Sequence, residues 1–534
     1  MFHAKNDKQP YIFDPFTYLG DKRRRLLDES WAGVFRSKIL HVLPVNELRK
    51  HYHDKNGRPT NEMFAMVGLM ILQQMHDLTD AEAVEQFAFN IKWHYALNIT
   101  GTSDQSSYVS LKSLWSMRNL LTEEGLYTVL FDKACQELAK VYMVDFSKQR
   151  MDSVHVQSNM RHLGRISLFS RTIKKFILNL KRNHHGLFDQ LDKDRFLRYI
   201  NKKEECLFAA VKPSEASTTL NILAADTCFL VEHFASKDQV ANMSSYKLLA
   251  RLFKNQCSVS STDDNSEKIV LAKPNKDVPS DSLQNPSDPD AGYSGHKGKG
   301  YQAQVMETYS PDANNKQLSL ITHIEVESAD KSDANALLPA LENTVARKVA
   351  PKELLADSLY GSDDNIQNSK QDYGIEIIAP AMGSKSKGLS LADFTFGADG
   401  KIISCPKGVL PTSVERPNDR FIAKFNSSDC HECEELESCP VSKAKKAYTF
   451  YYTDKDIRLS KRRTEEEGEV FKDTYRYRAG VEATMSEYDR RTGVKHLRVR
   501  GLKAVSFAAT LKAIGINIYR AARFEFGQKM AEVA

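Results

Sequence analysis

The chain has 534 residues, of which 41% are hydrophobic and 27% charged, so its composition is that of folded domains and excludes a mainly disordered protein. This length predicts about two to four domains, each able to bury a core. The surplus of Lys and Arg over Asp and Glu, 75 against 69, permits nucleic-acid binding without arguing for it. There is no visible leader, and the longest apolar run, residues 63–72, is shorter than the roughly 20 residues that span a bilayer. We therefore expect a cytoplasmic protein with reduced cysteines and no membrane partner.

Residues 1–140 are predicted to be mostly helical. Apolar residues recur at helical spacing over residues 61–97, and the break at residues 77–80 offers Thr79 or Asp80 as the cap of a new helix. A second amphipathic stretch covers residues 108–139. An all-α N-terminal domain is therefore expected.

The first strand is predicted at residues 150–156, where Asp152, Val154 and Val156 share one side of an alternating pattern. Residues 159–290 then read as a mostly helical insertion, with a basic opening at residues 161–185. Its last part, residues 258–290, is rich in Ser, Asp, Asn and Pro and is predicted to be a linker or mobile loop.

Strand patterns resume after the insertion and predict the remaining elements. In chain order these are a hairpin (301–308 and 318–326, with a turn at 310–315), a helix (333–347), a strand ending at Asp357 (353–356), a helical stretch, a strand (375–378), a cysteine-containing β-rich insertion (385–465) and a helical C-terminal part (466–534).

Without the insertions, this order is that of a ribonuclease-H-like fold. We predict an α/β protein whose catalytic core comprises residues 141–158, 291–384 and 466–534. The helical and cysteine-containing insertions interrupt this core, and the all-α domain precedes it.

Three acids fall where such a fold would bring them together. Asp152 lies midway along the first strand, Asp357 ends the strand expected beside it, and Glu482 lies in the closing helix. Phosphoryl transfer assisted by two hard cations needs such carboxylates on rigid elements. Each acid alone is weak evidence, since an Asp at a strand end often caps a turn and Glu is a common surface residue. Asp152 is less ordinary, because Asp is depleted inside strands. The weaker alternatives are Asp145 for the first acid, Asp363 or Asp364 for the second, and Glu487 for the third.

The helix around Glu482 carries further polar residues at helical spacing. Arg478 precedes Glu482 by four residues and Tyr475 precedes Arg478 by three, which places them on one stripe. An Arg there can orient the carboxylate or hold a DNA phosphate. The cations that follow are either a solvated basic face or a surface that tracks phosphates beside the site: Arg490, Arg491, Lys495, Arg498 and Arg500.

These blocks resemble bacterial insertion-sequence transposases of the DDE (Asp-Asp-Glu) type with a Tyr-Arg-Glu-(Lys) signature. Tyr475, Arg478 and Glu482 match the signature, and the acid blocks at residues 151–153 and 356–362 are similar to those of the family. Further similar segments are residues 57–60, 78–85, 116–118, 288–291 and 296–301. The signature usually places a Lys seven residues after the Glu, where this chain has Asp489. Arg490 or Arg491 would then grip the DNA, or activity is impaired.

The resemblance implies a cut-and-paste transposase that cleaves DNA at element ends and transfers the strands into target DNA. It implies that Asp152, Asp357 and Glu482 hold two Mg²⁺ ions, with Mn²⁺ as an alternative. It also implies that the helical domain recognises terminal inverted repeats, that the protein acts as a homodimer on DNA, and that it is associated with the bacterial nucleoid when bound. A metal-dependent nuclease of the same fold and an impaired, transposase-derived DNA-binding protein stay open as alternatives.

Four of the eight cysteines cluster in the second insertion. The pair Cys430 and Cys433 can supply two ligands from one turn, and Cys405 and Cys439 would complete a thiolate set that suits a structural Zn²⁺. The alternative is four free thiols. The other cysteines are predicted to be ordinary core or surface residues: Cys135, Cys206, Cys228 and Cys257.

Overall fold

A computed structural model describes residues 1–5, 15–53, 59–201, 208, 211–262, 265–312, 317–383, 388–444 and 447–533. Three parts of the predictions lie outside these ranges: residues 57 and 58 of the family-like segment 57–60, residues 313–315 of the predicted turn, and Cys206. No helix within them combines the length and the apolar character needed to cross a membrane.

The N-terminal region is helical, as predicted. Thr79 caps the fourth helix, since its hydroxyl accepts from the backbone of Glu82 while the Glu82 carboxylate accepts from the backbone of Thr79 at 2.7 Å. The helices are α1 (Asp21–Asp28), α2 (Trp31–Val34), α3 (Met63–Met75), α4 (Asp80–Phe89), α5 (Ile91–Ala96), α6 (Asp104–Ser107), α7 (Leu111–Glu123) and α8 (Leu126–Val141).

The first strand, β1 (Lys148–Gln157), leads into a mostly helical insertion, as expected. This insertion has its own hydrophobic core. The predicted linker is wrong in its first part, because a hairpin forms there, with Val259 paired to Val270. The second strand of this hairpin contains the apolar run 269–272, but the segment 258–290 as a whole is polar, so its composition indicated a loop. The elements are α9 (Arg165–Asn183), α10 (His185–Asp189), α11 (Lys193–Phe196), α12 (Ala216–Phe234), α13 (Asp238–Ala241), α14 (Ser244–Gln256), β2 (Cys257–Thr262) and β3 (Asn265–Ala272).

A mixed sheet follows, in which the predicted hairpin, helices and strands all form. Its elements are β4 (Gly292–Ser294), β5 (Gly298–Thr308), β6 (Ile321–Ser328), α15 (Leu337–Ala346), β7 (Glu353–Leu355), α16 (Asp363–Tyr373) and β8 (Glu376–Ile378). The strand order is β6-β5-β1-β7-β8, with β4 paired to the start of β5. β1 is antiparallel to β5 and parallel to β7, which is parallel to β8. β1 is thus the centre of the sheet.

The cysteine-containing region is built from short strands around aromatic residues. Its elements are β9 (Thr395–Phe396), β10 (Ile402–Ser404), β11 (Ser413–Glu415), β12 (Arg420–Asn426), α17 (Ser427–His431), β13 (Ser442–Lys443) and β14 (Ala447–Thr453). The chain ends in helices α18 (Asp454–Glu465), α19 (Glu469–Tyr475), α20 (Gly480–Thr492) and α21 (Leu502–Val533).

Helix α21 joins the N-terminal helices to the sheet. Leu69 of α3, Ile514 of α21 and Leu320 before β6 are all fully buried in one hydrophobic cluster. The expectation of a separate core for residues 1–140 is therefore not met, because α21 is apolar on several sides and packs against both units.

Candidate active site

The parallel pairing of β1 with β7 ends just before Asp152 and Asp357. Its last pair is Arg150 with Leu355, and each acid follows its own member of that pair by two residues. Asp357 follows the end of β7 and accepts the backbone N–H of Leu359 at 2.8 Å, which holds its carboxylate in a tight turn.

The Asp152 carboxylate is largely shielded from solvent, with 17% of its side chain exposed. Burial raises its pKa, and the negative charge of Asp357 raises it further, while Arg478, the backbone N–H of Ser153 and Lys297 oppose that rise. The charge of Asp357 thus acts on the Asp152 carboxylate, in agreement with the pairing of β1 and β7. Two adjacent carboxylates favour a cation between them.

Arg478 connects Asp152 to Glu482. Its Nη2 donates to Oδ2 of Asp152 at 2.9 Å, and its Nη1 donates to Oε1 of Glu482 at 3.2 Å. Glu482 lies in the first turn of α20 and is 70% exposed. Tyr475 belongs to the same group of residues, because the charges of Arg478, Asp357 and Asp152 all act on its hydroxyl, whose pKa is raised mainly by burial.

The single helical stripe predicted from Tyr475 to Glu482 is broken in the structure. α19 ends at Tyr475, a tight turn covers Arg476–Ala479, and α20 begins at Gly480. Because Arg476–Ala479 is a short 3₁₀ helix, the chain stays helical with fewer residues per turn. The predicted contact between Arg478 and Glu482 is still made.

A buried charge network anchors α20 beneath the acids. Glu307 of β5 is fully buried and accepts from Arg150 and from Arg520, each at 2.7 Å, and from the Thr484 hydroxyl at 2.7 Å. Arg150 also donates to the backbone carbonyl of Tyr477 at 2.7 Å. The network thus ties β1, β5, α20, α21 and the turn before α20 to one carboxylate. Sequence reasoning missed Glu307, although a Glu inside an apolar strand was a usable signal.

A second polar cluster lies on the opposite face of β1. Asp333, which is nearly buried, accepts from Gln304 at 2.8 Å and from the Ser153 hydroxyl at 3.2 Å. The buried hydroxyl of Tyr360 donates to Gln304, and the charges of Asp333, Asp152 and Asp357 act on it. Sequence reasoning missed this cluster as well, because its members come from separate elements.

The alternative acids are engaged elsewhere. Asp145 accepts from Ser147, Asp363 pairs with Arg458 at 2.6 Å, and Asp364 lies 3.4 Å from Lys455. Glu487 pairs with Arg520 at 2.9 Å and with Arg491 at 3.2 Å. These pairs give each alternative acid a structural role.

The basic segment lies at the far end of α20, about 12 Å along the helix axis from Glu482. Arg491 is held by Glu487, while Arg490 and Arg500 are exposed. Arg498 lies 3.0 Å from Asp77, and Lys495 lies 3.8 Å from Asp489. The segment therefore forms a separate cationic surface.

Asp489 has a local structural role. Its carboxylate accepts the backbone N–H of Lys495 at 3.2 Å, and its carbonyl accepts from Gly493 at 2.6 Å. Gly493 has a φ of 63°, which ends the helix. A Lys at position 489 could not accept the Lys495 bond, so Asp489 closes the turn that leads to the basic segment.

The four clustered cysteines line one small cavity, together with Val409, Phe425 and Leu436. Burial raises the pKa of the Cys430 thiol to about 11, and Cys439, Cys405 and Cys433 add to that rise. The four sulfur atoms are thus neighbours. In the described ranges, however, no three His, Cys, Asp or Glu side chains are arranged so that they could hold a metal ion.

Two parts of the chain match family models of transposases. Residues 404–522 match a transposase DDE domain, and residues 25–120 match a transposase domain (DUF772). The first match includes the cysteines and the segment with Tyr475, Arg478 and Glu482, but begins after Asp152 and Asp357. The chain matches no curated protein. Together the two matches support a DDE transposase.

Proposed function

We propose that this protein cleaves DNA at the ends of a mobile element and joins those ends to target DNA, with Asp152, Asp357 and Glu482 as its catalytic acids. The observation that carries the proposal is the parallel pairing of β1 with β7, whose last pair, Arg150 with Leu355, comes two residues before Asp152 and Asp357. The contacts of Arg478 with Asp152 and Glu482 support the inclusion of the third acid. The strand order supports a ribonuclease-H-like core, since a three-stranded antiparallel unit is extended by two parallel strands.

The three carboxylates would hold two Mg²⁺ ions, or Mn²⁺ ions. Carboxylate oxygens are the ligands that these hard cations prefer, and the charged form of Asp152 is destabilised by burial, which a cation would reverse. Bound cations would supply an activated water and a stabilised leaving oxygen. Glu482 would have to turn from Arg478 toward Asp152, and its exposed side chain is free of packing that would prevent this.

The residues around the acids would place the DNA. Arg478 and Tyr475 would contact the cleaved strand. Arg478 would exchange its hydrogen bonds to Asp152 and Glu482 for hydrogen bonds to a DNA phosphate. The exposed cations of the basic segment, such as Arg490 and Arg500, would bind phosphates of the DNA backbone further from the acids. The N-terminal helices would recognise the terminal repeats. Because two ends must be held together, we propose a homodimer on DNA.

We also propose a structural Zn²⁺ held by Cys405, Cys430, Cys433 and Cys439. Four thiolates suit this metal, and the four side chains already share one cavity. Because they are not yet arranged as a ligand set, binding would require rotation of the side chains.

The test is cleavage and joining of labelled DNA that carries the ends flanking the gene, in the presence of Mg²⁺. We expect the parent to nick and join these ends, and Asp357→Asn to lose both reactions by at least about a thousandfold. Asp364→Asn is the matched control, because Asp364 is a nearby exposed acid paired with Lys455. Equal activity of the parent and Asp357→Asn would refute the site. Nicking without joining would indicate a nuclease, and binding without nicking an impaired derivative.

A further inference from the structure

Lys297 is a lysine beside β1, next to Ser153 and Asp333, that the proposed mechanism does not use. It lies in the turn between β4 and β5, and its Nζ donates to the hydroxyl of Ser153 at 3.0 Å. Ser153 is the direct neighbour of Asp152 in β1, and the charge of Lys297 acts on the Asp152 carboxylate. The lysine is 38% exposed, so it lies at the rim of the site rather than inside it.

The positive charge of Lys297 is not taken up by a close ion pair. Its carboxylate neighbour is Asp333, whose Oδ2 lies 3.9 Å away. Asp333 instead accepts from Gln304 and from Ser153, so its oxygens are occupied by neutral donors. Arg478 differs, because its guanidinium contacts Asp152 and Glu482 directly. Lys297 is therefore a cation at the rim with donors left for an anion.

The hairpin holds Lys297 in this position. A Cβ on Gly300 would lie 2.1 Å from the carbonyl oxygen of Val156, so only glycine lets β5 approach the end of β1 this closely. The other lysine of the turn, Lys299, points elsewhere and donates to the carbonyl of Leu163 at 3.2 Å. Of these two lysines, Lys297 is the one whose charge acts on Asp152.

We propose that Lys297 binds a phosphate of the DNA strand at the acidic site, and that Asp333 and Ser153 are the positioning residues that hold its ammonium group there. This inference rests on the proposed function, since it takes the substrate to be DNA. A phosphodiester that approaches three carboxylates is repelled by them, and a fixed cation beside them offsets part of that repulsion. Asp333 aligns the Ser153 hydroxyl, which in turn accepts from Lys297.

The test is equilibrium binding of a labelled duplex copied from the DNA end that flanks the gene, with Ca²⁺ in place of Mg²⁺, at several salt concentrations. Removing one phosphate contact should reduce the slope of log affinity against log salt by about 0.9. We expect Lys297→Met to show this reduction and to bind roughly tenfold more weakly at low salt. Lys297→Arg should keep the parent slope. Lys352→Met is the matched control, because Lys352 is an exposed lysine just before β7, at the opposite end of that strand from Asp357.

Asp333→Asn tests the positioning role. It should reduce the slope less than Lys297→Met, and the double variant should bind no more weakly than Lys297→Met alone. Additive losses would show that Asp333 acts independently of the lysine. A parent slope in Lys297→Met would overturn the inference while leaving the proposed function intact. A parent that neither binds nor cleaves the duplex would overturn both.

Discussion

Arg478 donates to Asp152 at 2.9 Å across 326 positions of the chain. The same guanidinium contacts Glu482, so one cation stands between two of the acids proposed to hold metal ions. Both Arg478 and Asp152 are largely shielded from solvent, with 18% and 17% of their side chains exposed. Their interaction is therefore less screened than a surface ion pair. Arg478 thus bridges Asp152 and Glu482.

If Arg478 occupies the place of a cation, its removal should strengthen metal binding. We expect Arg478→Gln to bind Mn²⁺ roughly tenfold more tightly than the parent, because a positive charge beside the carboxylates is lost. Titration of Mn²⁺ followed by electron paramagnetic resonance measures this. Arg476→Gln, which removes an exposed cation near Asp473, should leave the affinity unchanged. Weaker binding in Arg478→Gln would contradict this explanation.

The burial of Asp152 predicts a pH-dependent cost to stability. Because its folded pKa is raised, the neutral acid favours folding below the unfolded pKa of about 4, and this contribution is lost as pH rises through the folded pKa. Asp152→Asn should therefore raise the temperature of thermal unfolding by about 2 °C at pH 7 without metal, and by less as the pH falls.

Asp145→Asn is the control of opposite sign. Hydrogen bonds from the Ser147 hydroxyl and backbone lower the pKa of Asp145, so its charged form favours folding above the unfolded pKa. Removal of this charged carboxylate should lower the temperature of thermal unfolding slightly at pH 7, and this effect should disappear as the pH falls. The same direction of change in both variants would refute the assignment.

Glu307→Gln should destabilise the protein strongly. Arg150 and Arg520 would each lose the buried carboxylate with which they pair. Breaking a buried ion pair of this kind lowers the free energy of unfolding by about 3–5 kcal/mol. Denaturant unfolding with hydrogen exchange of β5 and α20 measures the loss. Glu353→Gln removes a more exposed partner of Lys148 and should cost less than about 1 kcal/mol. Similar losses in the two variants would argue against the anchoring role.

Gly480 should not tolerate a side chain. A Cβ at this position would lie 2.0 Å from Nη1 of Arg150, which must stay in place to hold Glu307 and the carbonyl of Tyr477. Helix propensity alone would favour Gly480→Ala by about 1 kcal/mol, so a net loss of stability and of DNA cleavage isolates the steric effect. In Gly186→Ala the new methyl group meets open space, and we expect no loss. A stable, active Gly480→Ala would contradict the close approach.

Zinc content decides between a metal site and four free thiols. We expect purified protein to contain bound zinc, and a Cys430→Ser/Cys433→Ser variant to lack it, because a structural site needs its full set of thiolates. Metal analysis by mass spectrometry measures both proteins. Cys228→Ser removes a buried cysteine of the helical insertion and should leave the zinc content unchanged. A parent without zinc would refute the proposal.

The sequence alone determined the features that depend on near neighbours. The alternation around Asp152, the Thr79 cap of α4 and the strand ending before Asp357 were predicted and are present. These features follow from backbone geometry that repeats every two to four residues, so local spacing is enough to identify them.

Tertiary structure decided everything that joins distant segments. The Arg478 bridge, the buried Glu307 network and the position of Lys297 over Ser153 each depend on strand register and helix placement. The shared core at α21 does so as well. A buried charge looks like a surface charge in a sequence, and only packing shows that it lacks water and must find a partner.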